Sequence, residues 1–177
     1  TGDDVVIPDG STILITGSGG SGILGTPTAT YGASCRDLTI GGGISGTLNT
    51  SATFNTLSVG GNLTINNGGK LNGFSQTQSP TAGGATVVVS GNLNLNAGSA
   101  FCIAHSGAIL MLNGTTPQSI NGPGAFLGNI VRTLRISNPT SVTVNIPITL
   151  TNITSNNGLD LMAGTLNTNG NVTLDAT

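Results

Sequence analysis

The sequence predicts an all-β fold, a right-handed parallel β-helix (β-solenoid) of about seven or eight turns with almost no helix. Three observations predict it. Short aliphatic triplets alternate with polar residues, glycine- and asparagine-rich corners separate the triplets, and the pattern returns at steps near two dozen residues.

The alternation is the primary signal. It begins at Leu38-Thr39-Ile40 and continues through Leu57-Ser58-Val59, Leu63-Thr64-Ile65, Val87-Val88-Val89 and Leu93-Asn94-Leu95. Further along come Leu134-Arg135-Ile136, Val142-Thr143-Val144, Ile148-Thr149-Leu150, Leu159-Asp160-Leu161 and Val172-Thr173-Leu174. In an extended strand the outer two side chains of each triplet share one face and the middle one points away. The middle residues are mostly Thr, Ser, Asn, Asp or Arg, so each triplet reads as a half-buried strand with a wet outer face. Apolar spacing of helical type persists nowhere, and Gly, Asn and Thr, all poor in helix interiors, recur every few residues.

Gly41-Gly42-Gly43, Gly60-Gly61-Asn62, Asn66-Asn67-Gly68-Gly69 and Asn156-Asn157-Gly158 punctuate the strands. Gly and Asn tolerate positive φ and so supply sharp corners.

The repeat is explicit in Gly61-Asn62-Leu63-Thr64-Ile65-Asn66, which returns thirty residues later as Gly91-Asn92-Leu93-Asn94-Leu95-Asn96 and again as Gly170-Asn171-Val172-Thr173-Leu174. Leu38 to Leu57 is nineteen residues, Leu110 to Leu134 twenty-four, Leu134 to Leu159 twenty-five and Ile148 to Val172 twenty-four. Each turn is expected to hold two or three short strands, with equivalent strands of successive turns paired in parallel. At about 4.8 Å per turn the rod would be roughly 35–40 Å long. Residues 1–35 are expected to form an irregular N-terminal cap turn and 36–177 the regular turns of one domain or of a piece of a longer one. Polar excursions are expected at residues 17–33 and 77–84, where loops on a rigid scaffold offer binding surface.

Composition narrows the function. Only 6% of residues are charged, against roughly 25% in an average soluble domain. Disorder is disfavoured, because 36% of residues are hydrophobic and the net charge is only −2. Aromatics are 3% and Trp is absent, so Leu, Ile and Val must fill a narrow, uniform interior. Four basic residues, Arg36, Lys70, Arg132 and Arg135, are too few to neutralise a nucleic-acid backbone. No apolar run approaches the ~20 residues of a membrane helix, so no membrane insertion is expected. The polar, acidic start, Thr1-Gly2-Asp3-Asp4, is not a signal peptide; the chain is expected to begin after a cleaved leader or inside a longer protein.

Two segments carry a resemblance. Gly2-Asp3-Asp4-Val5-Val6-Ile7-Pro8-Asp9-Gly10, followed by residues 11–16, resembles the opening turn of the eight-glycine family of extracellular β-solenoid domains and of many surface proteins of Bacteroidetes bacteria. By that template Val5, Ile7, Ile13 and Ile15 face inward. Leu110-Met111-Leu112-Asn113-Gly114-Thr115-Thr116-Pro117-Gln118-Ser119-Ile120-Asn121-Gly122 is similar to the Leu-Asn-Gly…Gln-Ser/Thr-Ile turns of the same bacterial proteins, and Leu166 to Leu174 matches their next turn. The resemblance implies a secreted, cell-surface protein exported by the type IX pathway. The C-terminal sorting domain of such proteins is not in this sequence, and the stop at Asp175-Ala176-Thr177, directly after a strand, is expected to be followed by more protein or by a stacked copy.

Chemistry-bearing residues are sparse. Glycoside hydrolysis needs two carboxylates at a set separation, and the chain has six Asp and no Glu. Asp3, Asp4 and Asp9 crowd the start, Asp37 is placed to pair with Arg36, and Asp160 and Asp175 are a pair that neighbouring turns could bring together without anything in the spacing demanding it. His105 is the sole histidine, and Cys102, three residues away, falls on the opposite face of a strand; a metal site needs more ligands. The Gly-Ser-Gly-Gly-Ser-Gly run at residues 17–22 lacks the Lys and the helix of a phosphate loop. Thr28-Ala29-Thr30 is too isolated to be part of an ice-binding array. Cys35 and Cys102 are left open between a disulfide and two buried thiols. No catalytic, cofactor-binding or metal-binding residue is assigned, and no enzyme activity is expected. The chain is expected to be a structural or adhesive rod, stacking end to end with itself or meeting other surface proteins. The alternative is a carbohydrate-binding module or the non-catalytic part of a polysaccharide-active β-helix protein. Glycan binding favours an aromatic platform; Tyr31 is the sole Tyr, and Phe54, Phe74, Phe101 and Phe126 suit interior or corner positions.

Overall fold

A computed structural model describes residues 2–15, 32–50, 56–72, 85–103, 107–151 and 158–175. Every regular element among them is a strand. The first layer contributes β1 (Val5–Ile7) and β2 (Thr12–Ile15). The second holds β3 (Gly32–Cys35), β4 (Leu38–Ile40) and β5 (Thr47–Thr50), and the third β6 (Thr56–Val59), β7 (Leu63–Ile65) and β8 (Lys70–Asn72). The fourth has β9 (Thr86–Val89), β10 (Leu93–Leu95) and β11 (Ala100–Ile103), and the fifth β12 (Ile109–Leu112), β13 (Gln118–Asn121) and β14 (Ala125–Val131). In the last two layers one long strand covers two faces: β15 (Thr133–Val144) precedes β16 (Ile148–Thr151), and β17 (Leu159–Asn167) precedes β18 (Val172–Asp175).

The result is a parallel β-helix with three strands per turn. Every pairing between layers is parallel, and each strand meets its counterpart one turn away. Excursions and corner lengths vary, so successive layers are 25, 30, 27, 24 and 24 residues apart at the corner ladders. The nineteen-residue interval from Leu38 to Leu57 is not one of these steps. Leu38 pairs with Leu63 on one face, whereas Leu57 pairs with Ala33 and Val87 on another.

Register fixes the core. Val5, Leu38, Leu63, Leu93, Ile120 and Val144 stack in one column. Ala33, Leu57, Val87, Leu110, Leu134 and Leu159 form a second. Ile13, Leu48, Leu71, Phe101 and Phe126 form a third. The two phenylalanines are fully buried, with ring centroids 5.4 Å apart, and supply volume where the third face would otherwise be thin. Because the side-chain period is two, any one-residue slip would turn a whole column outward.

The recurring Gly-Asn-Leu has a physical cause. Asp37 Oδ1 accepts the Asn62 amide at 2.6 Å, Asn62 Oδ1 accepts that of Asn92 at 2.8 Å, and Asn92 Oδ1 accepts that of Ser119 at 2.9 Å. Each corner side chain therefore satisfies a backbone donor of the next layer. The preceding glycine leaves room for this: a Cβ on Gly91 would fall 2.5 Å from the Gly61 carbonyl carbon.

The terminal layers show what one missing neighbour does. Ile7 is buried, and Val5 and Ile13 lie in inward columns, yet Val5 and Ile13 are exposed because nothing described lies above them. Leu161 and Leu174 at the other end are exposed for the same reason. Gly32 and Ala33, read from the sequence as the end of a loop, belong to β3. The rest of that excursion and the 77–84 loop lie outside the described residues.

Truncation in a column should cost far more than truncation outside it. Leu93→Ala should lower stability by about 2–5 kcal/mol, and Thr39→Ala, on the outer surface, by no more than about 0.5 kcal/mol. Urea denaturation of the two variants measures both.

Candidate functional site

Three polar clusters stand out on this scaffold, and each is built by stacking. The first is a side-chain ladder running along the outside of the face that carries β4, β7 and β10. Asn94 Nδ2 donates to Thr64 Oγ1 (3.5 Å), Asn121 Nδ2 to Asn94 Oδ1 (3.3 Å), Asn145 Nδ2 to Asn121 Oδ1 (2.8 Å) and Asn169 Nδ2 to Asn145 Oδ1 (2.8 Å). A second run beside it takes Asn96 Nδ2 to Asn66 Oδ1 (2.8 Å) and Asn66 Nδ2 to the Gly41 carbonyl (2.7 Å). In-register stacking puts identical amides one layer apart, the arrangement that lets carboxamides pair along an axis.

The second cluster explains the Gln of the Leu-Asn-Gly…Gln-Ser-Ile turn. Gln118 is buried in an inward column whose next members are Val142 and Leu166. Its Nε2 donates to the carbonyls of Val89 (2.9 Å) and Gly91, while its Oε1 accepts from the Gly114 amide (2.7 Å) and Asn138 Nδ2 (2.9 Å). Asn138, fully buried, also donates to the Thr116 carbonyl (2.7 Å) and accepts from the amide (2.7 Å) and hydroxyl (2.6 Å) of Thr140. Both carboxamides thus fill their full complement of two donors and two acceptor lone pairs. A fully satisfied network of this kind locks a corner and leaves no polar atom over for a ligand.

The third cluster lies at the first layer. Asp9 Oδ1 accepts the amides of Gly42 (2.7 Å), Ser45 (2.8 Å) and Ile44 (3.2 Å) across the 41–46 loop. Those bonds, the Ser45 and Gly42 amides foremost, hold its carboxyl below the ordinary range. Arg36 donates to Asp4 from Nε (2.7 Å) and from a terminal nitrogen (2.5 Å), which lowers the Asp4 pKa and raises that of Arg36. Arg36 therefore takes Asp4 as its principal partner. Asp37, the neighbour expected from sequence, is only a 3.8 Å contact, and its carboxylate serves the corner ladder.

The two carboxylates weighed as a pair across neighbouring turns lie on different strands. Asp160 does not meet Asp175: it pairs at 2.7 Å with Arg135 one layer below, on the face of β15, while Asp175 lies on β18 against Thr151. No group of three or more His, Cys, Asp or Glu side chains comes together among the described residues. Cys35 and Cys102 are free thiols, one buried on β3 and one half-buried on the outside of β11, so no disulfide joins them. Burial, then the nearby Asp37 and Asp4 carboxylates, pushes the Cys35 thiol pKa up, away from nucleophilic character. Of the aromatic residues weighed as a platform, Phe101 and Phe126 are core. Tyr31, Phe54 and Phe74 lie outside the described residues, as do His105, residues 17–22 and Thr28-Ala29-Thr30. A shallow trough of about 450 Å³ runs along the corner beside Asn66, Asn67, Asn96 and Gly98. Among the described residues no helix is long and apolar enough to cross a membrane.

The clusters carry two predictions. Replacing Gln118 with Leu matches the aliphatic column yet strands four polar partners, and should cost about 2–4 kcal/mol in a denaturant melt. The Asp4 and Asp9 values are depressed on folding, so their contribution to docking the first layer is complete above the unfolded carboxylate value of about 3.9. It is lost as pH falls through the lower folded values. An NMR titration should show the Gly42, Ile44 and Ser45 amides responding with a midpoint below about 3.9, and a midpoint at or above it would refute the nest.

No family model, curated protein or solved structure matches the chain.

Proposed function

We propose that the chain is a structural or adhesive rod, secreted and displayed at a cell surface or built into an extracellular filament. The observation that carries the reading is the uninterrupted axial stack: seven layers in parallel register, aliphatic columns inside, and surface polarity spent on holding layers together. A chain pulled along this axis must break many inter-layer backbone bonds in concert, which is what a load-bearing spacer requires. The low charge and the likeness of residues 2–10 and 110–122 to extracellular solenoid turns support the same reading and the type IX route of export.

The two ends support a mode of assembly. The first layer exposes Val5, Val6, Ile13 and Leu14, and the last exposes Leu161, Met162 and Leu174. Strand edges of this kind pair readily with a further strand, and a second copy placed end to end extends the two ladders that start at β1 and β2. Electron microscopy and sedimentation over a concentration series should show rods that lengthen with concentration. Leu161→Lys combined with Leu174→Lys should hold the protein monomeric. Strictly monomeric particles of the unaltered chain at high concentration would remove the assembly mode.

A second reading, a glycan-binding module, is favoured by the amide-lined trough at Asn66, Asn67 and Asn96. Its carboxamides suit sugar hydroxyls. A glycan array separates the two: a bound sugar whose affinity falls on Asn67→Ala favours the module, and no binding favours the rod.

A further inference from the structure

Four Asn-Gly pairs lie within the described residues, Asn67-Gly68, Asn113-Gly114, Asn121-Gly122 and Asn169-Gly170. Asn-Gly is the dipeptide in which a backbone amide most easily reaches the preceding side chain, because glycine puts no Cβ in the way. For that to happen, the Asn side chain must rotate until its Cγ meets the glycine nitrogen. The four pairs differ sharply in how far their surroundings permit this.

Three are clamped. The Gly68 amide donates to the Gly98 carbonyl at 3.1 Å, and Asn67 Oδ1 lies hard against Gly98, where an added Cβ would come within 2.0 Å. The Gly114 amide is held by Gln118 Oε1 at 2.7 Å while Asn113 Oδ1 accepts from Ser90 Oγ at 2.9 Å. Asn121 is fixed by three side-chain bonds, to Asn94, Ser119 and Asn145, and its glycine is wedged against the Leu95 carbonyl. The fourth pair differs. Asn169 and Gly170 are both exposed, and both take positive φ (47° and 75°) at the centre of a turn closed by the Asn171 amide on the Thr168 carbonyl. The Gly170 amide has only a long 3.4 Å contact to Thr168 Oγ1. The Asn169 side chain is tied by one short bond, to Asn145, and accepts from no described layer beyond it. A Cβ on Gly170 would meet nothing within 4 Å, so the turn has space around it.

We propose that Asn169 is a site of spontaneous deamidation, set apart from the other three described pairs by an exposed positive-φ turn, a weakly held Gly170 amide and a single side-chain tether. The Gly170 nitrogen, losing its proton to solvent base, attacks Asn169 Cγ. A nitrogen–carbon bond closes a five-membered succinimide and the Nδ2 group leaves as ammonia, taking up a proton. Water then opens the ring at either carbonyl, giving aspartate or isoaspartate, so that the net change is addition of one water and loss of one ammonia. The product replaces a donor with a carboxylate facing Asn145 Oδ1, which abolishes the terminal rung and adds a negative charge beside it.

The test is incubation of the full chain in mildly alkaline buffer, followed by proteolysis and mass spectrometry of each Asn-Gly peptide. Conversion at Asn169 should run at least about ten-fold faster than at Asn67, Asn113 or Asn121, the difference reflecting the opening each clamped pair needs first. The same incubation in denaturant should bring all four to similar rates, since only the fold distinguishes them. Equal rates in the folded chain, or faster conversion at any clamped pair, would overturn the assignment. Gly170→Ala, which has room for the methyl group but must hold it at positive φ, should slow conversion at Asn169 and leave the other three unchanged; an unchanged rate at Asn169 would also overturn it.

Discussion

The in-register parallel ladder between layers is the constraint on which everything else rests. Its backbone bonds are made only when a neighbouring turn is present, so no layer is stable alone and each fixes the register of the next. Given that register, Leu38, Leu63 and Leu93 have no choice but to stack, and so do the residues pointing outward. The core columns and the surface ladders are two consequences of one geometric fact.

That fact also accounts for the odd composition. A charged residue repeated in every layer would stand about 4.8 Å from its copies, and like charges so close repel. Neutral carboxamides do the reverse, since each offers both a donor and an acceptor to the copies on either side. Several of the charges are neutralised locally: Arg135 against Asp160, Arg36 against Asp4, and Asp9 within a cradle of backbone amides. The scarcity of aromatic residues follows from the narrow cross-section, which Leu, Ile and Val fill on two faces and which admits the Phe101–Phe126 pair on the third.

Much of the fold was legible because a period of two inside a longer period leaves few alternatives. The triplets at Leu63, Leu93 and Val172 announce strands, and their spacing announces layers. The assignment of strands to faces was hidden, because Leu38 and Leu57 look alike in sequence and only pairing separates one face from another. Long strands were hidden too: β15 runs through Asn138-Pro139-Thr140, a segment that reads as a turn, because the Gln118–Asn138 network satisfies the corner from inside. The salt bridge from Arg36 to Asp4 was missed because the adjacent Asp37 offered a nearer partner along the chain, whereas stacking brings residues some thirty positions apart into contact. The pairing of Asp160 with Arg135 was not readable from the sequence, because it needed the register.

The carboxamides of the ladder share one orientation. From Asn66 through Asn94, Asn96, Asn121, Asn145 and Asn169, every Nδ2 points toward the first layer and every carbonyl oxygen toward the last. Strand dipoles in a sheet largely cancel, but these side-chain dipoles add, and each polarises the next. Each row of rungs is therefore a polar file of amides, its negative ends toward the last layer. Two such files lying side by side attract when they point in opposite directions and repel when they point the same way, so the amide rows by themselves favour opposite alignments for lateral contact and for axial continuation.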